Sequence, residues 1–578
     1  MLPKLGYEYT ERVVTDSFAG YNHQLRIAEG EFYDMKNLSS ARYPLLSNRK
    51  KRGKVCTLTS PGGLIAKEKL AWVDGGTLYI DGEATALQGL TEGKKQLVSM
   101  GATICVFPDK KYFNTADPAD FGSMEASYTS VGPVRYSLCR EDGSDYGAVV
   151  RASEAPVKTA LWLDPAGEKP VLRRWSSAVS EWVEIETVYT RVSFGTEGEL
   201  PGLFRALDGV TISGAAVEDV NGEQILRSVG GGAGESDYLV VTGLLEEAVT
   251  QTEGFVRVQR RVPEMDFIIE CRNRLWGCRY GMEDGKSLNE IYCCALGDFK
   301  NWRQYLGVSA DSWTASVGSD GPWTGAVNYL GCPMFFKENR IHRVSISAAG
   351  AHQIVETVCR GVQPGCAESL QVVNETLFYK SRADICAYQG SFPRSISQKL
   401  GEESYGEAAA GSVGDRYYIS MRDSAGEWAL FVYDIRRDLW MKEDALHAES
   451  FARLADELYC VADGALLCLT GGEGEKEPFV AWEAETGILT YQYPERKYVS
   501  RYNLRLGMEA GAEVKVYLMY DSSGEWVYQG RIRMKGTRTV TLPIRPRRCD
   551  HLRVRLEGRG EVRLYSAARI LSVGSDVG

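Results

Sequence analysis

The stretch PMFFKENRIHRVSI, residues 333–346, decides the fold. It consists of two short apolar runs with a polar turn between them, which is the pattern of an antiparallel β-hairpin. Six further stretches repeat this pattern, and together they predict an all-β chain. The six stretches are residues 70–82, 103–113, 271–302, 375–388, 416–434 and 457–469.

The spacing of four aromatic residues indicates how these hairpins are arranged. Phe335, Phe378, Tyr418 and Tyr459 stand at equivalent places, with intervals of 43, 40 and 41 residues. Four-stranded propeller blades repeat about every 40 to 50 residues, and they need only a hydrophobic hairpin per blade. The sequence therefore predicts a β-propeller of six to eight blades with degenerate repeats.

Two departures from this period predict additional domains, as expected for a chain of 578 residues. Between about 121 and 264 the strand signals are unrelated to the period, which favours a small inserted β domain. After 477 the strands are longer and alternate strictly, which favours a C-terminal β-sandwich with a basic outer face. The predicted units are 1–120 (N-terminal segment and first blades), 121–264 (inserted domain), 265–477 (remaining blades) and 478–578 (sandwich).

Composition supports an all-β globular chain. Hydrophobic residues make up 44% and charged residues 25%, and 61 Gly with 31 Tyr and 12 Trp favour strands joined by tight turns. No apolar run approaches the ~20 residues of a membrane helix, and no export signal is recognisable. The 14 cysteines form no C-x-x-C pair, so we expect reduced core thiols in a protein made in a cytoplasm.

Charge is unevenly distributed along the chain. The net charge is −10, but the residues from Tyr491 onward carry 17 Lys and Arg against 9 Asp and Glu, a local net charge of +8. This polarity favours contact between one end of a protomer and the other end of a neighbour, or contact with a polyanion. Arginines that are simply hydrated on exposed strands would give the same pattern.

The sequence offers no motif for chemistry. None of the five histidines has a partner at a metal-ligand spacing, and no G-x-S-x-G elbow, P-loop or dinucleotide fingerprint occurs. Among 77 acidic residues, no carboxylate pair for glycoside hydrolysis can be singled out. We therefore predict no catalytic residue, no cofactor-binding residue and no metal site, and hence a protein that is not an enzyme.

Residues 271–302 also carry a resemblance to a known family. An Arg-Leu-Trp strand is followed by a polar loop, a second strand and the tag Gly-Asp-Phe-Lys-Asn-Trp, residues 297–302. This order resembles a blade of the tail nozzle proteins of tailed bacteriophages, which include tail tubular protein B and the packaged-DNA stabilisation (tail accessory) proteins. Residues 16–53 are similar to the opening of that family, and residues 207–229 to a strand module of phage tail proteins. Cys293 and Cys294 depart from the family, which has a Ser-like residue there.

The resemblance implies a structural virion protein, located in the phage tail and made in the host bacterial cytoplasm. It implies a homohexameric ring in the tail or neck conduit, which retains DNA and then passes it without sequence recognition. The implied partners are a portal, an adaptor or other tail proteins, with no membrane in the mature virion. The implied blade motif is Arg274, Leu275, Trp276, Gly297, Asp298, Phe299, Asn301 and Trp302, of which Phe299 and Trp302 are expected to pack between blades.

One basic cluster is a candidate protomer interface. Arg545, Arg547 and Arg548 lie close together in the C-terminal sandwich. Basic groups that line a DNA conduit would bind phosphates and slow passage. We therefore predict that these three side chains face a neighbouring protomer or the exterior.

Two alternatives belong to other classes of protein. The first is a tail-tip receptor- or glycan-binding adhesin, in which Trp162, Trp175 and Trp182 of the inserted domain form a stacking surface for sugars. Core packing is the more common role for tryptophans in such a pattern. The second alternative is a propeller glycosidase that acts on a host polysaccharide.

Overall fold

A computed structural model describes residues 9–573, apart from 233, 284, 348–350, 492, 494, 495 and 546. Nearly all regular structure in this part of the chain is β-strand, with one short helix, α1 (Leu200–Leu203), and 3-10 turns at Ser40–Arg42, Glu218–Val220, Ala367–Ser369 and Gln398–Leu400.

The strands up to the inserted domain fall into two groups. The first six are β1 (Tyr9–Thr15), β2 (Gly20–Tyr21), β3 (Glu31–Lys36), β4 (Leu38–Ser39), β5 (Leu46–Asn48) and β6 (Gly53–Thr57). The next eight are β7 (Pro61–Ala66), β8 (Leu70–Asp74), β9 (Thr77–Ile80), β10 (Glu83–Ala84), β11 (Gln96–Met100), β12 (Thr103–Phe107), β13 (Lys111–Asn114) and β14 (Phe121–Ser123).

In its described residues the inserted segment contains thirteen strands, the longest of eight residues. They are β15 (Ala126–Thr129), β16 (Val134–Cys139), β17 (Val149–Arg151), β18 (Leu161–Asp164), β19 (Val171–Ser176), β20 (Glu181–Glu184), β21 (Tyr189–Ser193), β22 (Gly209–Ser213), β23 (Gly222–Ile225), β24 (Ser228–Gly232), β25 (Glu235–Thr242), β26 (Val249–Gln251) and β27 (Arg257–Arg260).

The remaining strands first continue the period of about 40 residues and then lengthen. The periodic ones are β28 (Phe267–Glu270), β29 (Leu275–Glu283), β30 (Lys286–Cys293), β31 (Trp313–Ser316), β32 (Gly325–Tyr329), β33 (Cys332–Lys337), β34 (Arg340–Ile346), β35 (His352–Val358), β36 (Gln371–Val373), β37 (Thr376–Lys380), β38 (Ile385–Tyr388), β39 (Arg394–Ser395), β40 (Tyr405–Val413), β41 (Arg416–Asp423), β42 (Trp428–Asp434), β43 (Leu439–Lys442), β44 (Ala448–Leu454), β45 (Glu457–Ala462) and β46 (Ala465–Cys468). The last eight are β47 (Glu475–Lys476), β48 (Ala481–Thr486), β49 (Lys497–Met508), β50 (Glu513–Tyr520), β51 (Val527–Arg533), β52 (Gly536–Pro543), β53 (Leu552–Arg559) and β54 (Val562–Val573).

The described residues form seven antiparallel four-stranded blades around one axis, which confirms the predicted all-β propeller with added β domains. The first strand of each blade is innermost, because it contacts the first strand of the next blade, as β7 contacts β11 and β40 contacts β44. The blades are I (β7–β10), II (β11–β14), III (β28–β31), IV (β32–β35), V (β36–β39), VI (β40–β43) and VII (β44–β46 with β6).

Blade VII closes the ring with strands from two distant parts of the chain. Strand β6 pairs antiparallel with β46, so that Leu466 faces Cys56 and Cys468 faces Gly53. A Cβ at Gly53 would lie 1.7 Å from the carbonyl oxygen of Glu473, so only glycine allows β6 to sit this close to the segment after β46. The ring is thus held shut by hydrogen bonds between residues more than 400 positions apart.

The seven hairpins recognised in the sequence are the second and third strands of the seven blades. Phe335, Phe378, Tyr418 and Tyr459 all lie on second strands, which are β33, β37, β41 and β45. Each of these four aromatics is buried between neighbouring blades. The spacing of about 40 residues in the sequence is therefore the spacing between the second strands of successive blades, not between their innermost strands.

The inserted domain leaves blade II after β14 and returns at β28. It consists of two facing sheets, β15-β27-β22-β23 and β24-β25-β21-β16-β26, and a small outlying sheet, β17-β18-β19-β20. The two facing sheets enclose their own buried core, which includes Tyr136, Val192, Leu239 and Val258. Both junctions lie at the end of the propeller where the innermost strands begin, since the domain connects an outermost strand to the next innermost strand.

The C-terminal sandwich is built from both ends of the chain. One sheet has the order β4-β5-β54-β49-β52 with β1 added to β54, and the other runs β2-β3-β48-β53-β50-β51 and continues from β43 of blade VI. Strand β1 pairs with β54 over seven residues, from Tyr9 opposite Val573 to Thr15 opposite Ala567. The sequence grouped residues 1–120 with the first blades, whereas the structure pairs residues 9–48 with the C-terminal sheets.

The outer face of this sandwich is less basic than its sequence suggests. Arg553 lies 2.5 Å from Glu485, and Arg555 lies 2.9 Å from Glu485 and 3.1 Å from Glu483, both carboxylates being on β48. The positive charge of β53 is thus largely balanced within its own sheet.

Two buried arginines tie the sandwich to the propeller. Arg52 lies 2.7 Å from Glu443 and 2.7 Å from Asp444, while Arg49 lies 2.7 Å from Glu477. Both guanidinium groups are almost fully buried. The clamp joins the segment that enters the propeller, the end of blade VI and the segment that leaves the propeller, so it fixes the sandwich at three points.

Candidate functional site

A funnel of about 530 Å³ opens on the propeller axis. Its wall contains residues from the innermost strand of every blade, near the end at which those strands begin, so its position follows directly from the seven-fold arrangement. One residue from each innermost strand, in blade order, is Gly62, Gln96, Ile268, Ala326, Gln371, Ala408 and Glu449.

Charged side chains surround the mouth of this axial funnel. Three carboxylates come from consecutive blades: Glu368 precedes blade V, and Glu407 and Glu449 lie on the first strands of blades VI and VII. Lys94 enters from the blade II side, and its Nζ lies 3.2 Å from Oε1 of Glu368. This ion pair links blades that are three positions apart in the ring of seven, so it spans the mouth.

An aromatic pair lies on the same wall. The rings of Trp428 and His447 stack with centroids 3.8 Å apart and an interplanar angle of 20°. Both side chains are half-buried and both line the axial funnel. The funnel thus combines an aromatic surface with carboxylates and an ammonium group.

Hydrogen bonds between neighbouring blades stiffen the funnel wall. Gln96 on β11 donates to the carbonyl of Asp266 (2.8 Å) and accepts from the amide of Ile268 (3.1 Å). Next to it, Lys95 and Asp109 form a fully buried ion pair at 2.7 Å. Burial alone would raise the pKa of Asp109, but hydrogen bonds from Lys95 and Thr91 hold it below its usual value. The wall is therefore preorganised around fixed charges.

The first half of the predicted blade motif lies inside blade III. Arg274, Leu275 and Trp276 are buried. The Arg274 guanidinium donates to the carbonyls of Cys294, Ser309 and Asp311 at 2.6 to 2.8 Å. This residue fastens the long connection between β30 and β31, and it does not reach the axial funnel.

The second half of the motif lies where blade III meets blade II and the inserted domain. Phe299 packs against Tyr112 of blade II with ring centroids 5.2 Å apart, and Trp302 is buried in the same cluster. Asp298 lies 2.8 Å from Arg205 of the inserted domain, and Gly297 has a φ of +75° in the turn before it.

Asn301 makes the most specific contacts of the tag. Its side chain is 1% exposed. It accepts from the amide of Gly209 (3.1 Å) and donates to the carbonyl of Leu207 (2.8 Å) and to Gln304 (3.1 Å). The tag therefore fastens the inserted domain as well as packing between blades.

The predicted interface arginines lie between β52 and β53. Arg545, Arg547 and Arg548 are exposed, and the guanidinium of Arg547 lies 5.0 Å from the centroid of the Tyr520 ring. They lie in the sandwich and do not line the axial funnel.

The three tryptophans of the adhesin alternative share one face of the small sheet β17-β18-β19-β20. Trp162 and Trp175 both meet Trp182 nearly at right angles, at 5.6 and 5.8 Å. The ammonium of Lys158 lies 3.9 Å from the Trp175 centroid. Edge-to-face packing and an overlying lysine occupy these rings, which favours their role as the apolar cover of this sheet over a flat stacking surface.

The described residues contain no cluster of three or more His, Cys, Asp or Glu side chains with the geometry of a metal site. In the same part of the chain, no helix is long and apolar enough to span a membrane.

Sequence reasoning missed the residues of the axial funnel. Glu368, Glu407, Glu449 and Lys94 carry no motif in the sequence. The innermost strands are short or polar, as in Gln371–Val373, and so give little strand signal. The signal that could have found them is positional, since each lies just upstream of a recognised hairpin.

No protein-family model and no curated protein matches the chain. Solved structures do. An exo-β-1,3-galactanase from Phanerochaete chrysosporium with β-1,3-galactotriose is 7% identical, with a TM-score of 0.23, over 52% of this chain and 94% of that chain. A glycoside hydrolase is 10% identical, with a TM-score of 0.21, over 52% and 96%. A glycoside hydrolase family 43 arabinoxylan arabinofuranohydrolase from Bacillus subtilis in complex with cellotetraose is 8% identical, with a TM-score of 0.20, over 54% and 95%.

These matches correct one prediction. The sequence predicted a protein that is not an enzyme, and this prediction is contradicted, because the three solved structures named above are glycoside hydrolases. With TM-scores from 0.20 to 0.23, they bring neither a substrate nor a catalytic residue to this chain.

Proposed function

We propose that the protein binds carbohydrate in the axial funnel. The observation that carries the proposal is the composition of the funnel wall, which contains carboxylates, an ammonium group and the Trp428–His447 stack. Sugar hydroxyls donate and accept hydrogen bonds at once, so they are bound by polar groups of both kinds. The apolar face of a sugar ring packs against an aromatic side chain.

Two of the carboxylates are suited to direct contact with a sugar. Glu407 and Glu449 are exposed at the mouth and lie on adjacent innermost strands. Arg422 lies 3.2 Å from Glu407 and limits the freedom of that carboxylate. Glycoside hydrolysis also uses two carboxylates on either side of the scissile bond, so turnover belongs in the same experiment as binding.

The test is a glycan array with the full chain, followed by titration of every glycan that is bound. We expect saturable binding that Glu407→Gln and Glu449→Gln each weaken about tenfold or more, since each removes a charged hydrogen-bond partner. Glu525→Gln, on an exposed turn of the sandwich, is the matched control and should bind as the wild type does. Release of reducing ends from bound glycans would extend the proposal to hydrolysis. Absence of any saturable glycan would refute it.

A second proposal is the phage tail conduit that the family resemblance implies. It is supported by the exposure of Arg545, Arg547 and Arg548, which is what a protomer interface or an exterior surface requires. The proposal comprises a homohexameric ring in the virion, with portal, adaptor or other tail proteins as neighbours and DNA passing through the lumen.

The test of the conduit is the solution mass at several concentrations, with negative-stain images of the same sample. A ring of five or six copies with a central hole is the expected result. Placement of the three arginines on the lumen of such a ring would contradict the proposed interface.

A further inference from the structure

Blades IV and V each bury a lysine at the same place. Lys337 ends β33 and Lys380 ends β37, 43 residues later, and their side chains are 3% and 2% exposed. A buried ammonium group is costly unless its hydrogens are bonded and its charge is balanced. The two lysines therefore provide a comparison within one chain.

Lys380 is fully satisfied by its own blade. Its ammonium group donates to the side-chain oxygen of Gln363 (3.0 Å) and to the carbonyls of Ser381 and Arg382. These three acceptors use all three hydrogens. These hydrogen bonds are sufficient to explain why Lys380 can be buried.

Lys337 has one acceptor fewer. It donates to Oδ1 of Asn289 (2.9 Å) and to the carbonyl of Ser319 (2.5 Å). The rings of Trp323 and Tyr280 lie 4.6 and 5.2 Å from Nζ. Among the described residues no third acceptor is within hydrogen-bond distance and no carboxylate is within 4 Å, so one hydrogen remains available.

Lys337 is one of the residues that line a cleft of about 550 Å³ beside blade IV. Thr324 lines the same cleft, is 3% exposed, and its hydroxyl has no hydrogen-bond partner in the described part of the molecule. A buried hydroxyl without a partner costs free energy unless a bound molecule satisfies it. The cleft is therefore lined by two residues that each have a buried donor group with an unused hydrogen.

The other charges around this cleft are mostly paired. Glu356 forms an ion pair with Arg340, and Glu338 lies 3.4 Å from Arg382. His342, which lies 3.3 Å from Glu356, stays neutral near pH 7, because burial lowers its pKa to about 4. Asp320 is exposed on the rim, where solvent screens it. Among the described residues of the wall, the charges without an ion-pair partner are those of Lys337 and Asp320; burial lowers the pKa of Lys337, and the nearby Asp320 carboxylate opposes that shift.

We propose that this cleft binds a small molecule through a carboxylate group, with Lys337 and the Thr324 hydroxyl as its donors. The source of the carboxylate is either a free organic acid or the acid group of a uronic sugar. The proposal is independent of the axial funnel, since the two cavities share no lining residue.

The test is isothermal titration of the full chain with D-galacturonate, D-galactose and lactate. We expect galacturonate to bind, galactose not to bind at this cleft, and lactate to bind only if free acids are the natural source. Thr324→Val should weaken the binding of galacturonate about tenfold. It should not unfold the blade, because the Thr324 hydroxyl bonds no protein group that its removal would leave unpaired. Lys337→Met should abolish binding.

Lys380→Met is the matched control for loss of a buried lysine. It should lower the stability of blade V and leave the affinity for galacturonate unchanged. Equal affinity in the wild type, Thr324→Val and Lys337→Met would overturn the proposal, as would no binding of either acid. Binding that survives Lys337→Met but is lost in Glu407→Gln would assign the ligand to the axial funnel and likewise overturn the cleft.

Discussion

The two added domains attach to nearly opposite sides of the propeller through different chemistry. The inserted domain is held at blades II and III by the tag, in which the neutral amide of Asn301 makes three buried hydrogen bonds. The sandwich is held at blades VI and VII by Arg49 and Arg52 among three carboxylates. An amide bonds its partners at any pH, whereas a buried ion network depends on the charge of every member. The two joints should therefore respond differently to mutation and to acid.

Chain connectivity explains part of this difference. The sandwich draws strands from both ends of the sequence, so its joint must hold two crossings, at residues 49–52 and near 477, that are remote in the chain. A guanidinium group has five donors in a fixed fork and can bond several acceptors from different segments at once. The chain passes between the propeller and the inserted domain twice, after β14 and before β28. These two crossings lie close together, so one local set of contacts can hold the inserted domain.

Arg52→Met should produce the largest effect on either joint. It leaves Glu443 and Asp444 buried without their closest cation, and breaking a buried ion pair from one side costs about 3 to 5 kcal/mol. Because a chain of several domains does not unfold in two states, the measurement is hydrogen exchange in β6 and β48 rather than a single midpoint. Protection there should fall, while protection in the inserted domain stays unchanged.

Lys51→Met is the matched control for this change. Lys51 is exposed and donates to the carbonyl of Pro478, outside the buried network. It should alter exchange in β6 little. A similar loss of protection in both variants would show that residues 49–52 are sensitive to any substitution. The buried ion pairs of Arg49 and Arg52 would then contribute nothing specific to the joint.

Acid should loosen the sandwich joint before the inserted domain. Burial alone would raise the pKa of Asp444 and of Glu477, but Arg52 and Arg49 hold both below their usual values. A carboxyl whose pKa is lowered by folding adds stability above its unfolded pKa, about 4, and loses it as pH falls through the folded value. Protection from exchange in β48, relative to the intrinsic rate at each pH, should therefore fall below about pH 4, earlier than protection in β22. An equal fall of protection in both strands would contradict the comparison.

The sequence predicts part of this arrangement for reasons that are local. Each second and third strand forms a continuous apolar hairpin, so all seven blades are recognisable, and the tag is recognisable as a unit. The pairing of β1 with β54 joins residues about 550 positions apart, and no local pattern encodes it. The axial funnel is hidden for the same reason, since Lys94 and Glu368 meet only when the ring closes. The role of Asn301 follows from what packs against it and not from its residue type.

Asn301→Ala should give the smaller effect that completes the comparison. It leaves the amide of Gly209 and the carbonyl of Leu207 without their partner, at a cost of about 1 to 3 kcal/mol. Exchange in β22 should accelerate by a similar factor at pH 7 and at pH 4, because no charge is lost. Asp298→Asn, which removes only the ion pair to the largely exposed Arg205, should cost about 1 kcal/mol or less. If Asp298→Asn lowered protection in β22 more than Asn301→Ala does, the inserted domain would also be held by charge. The distinction between the two joints would then fail.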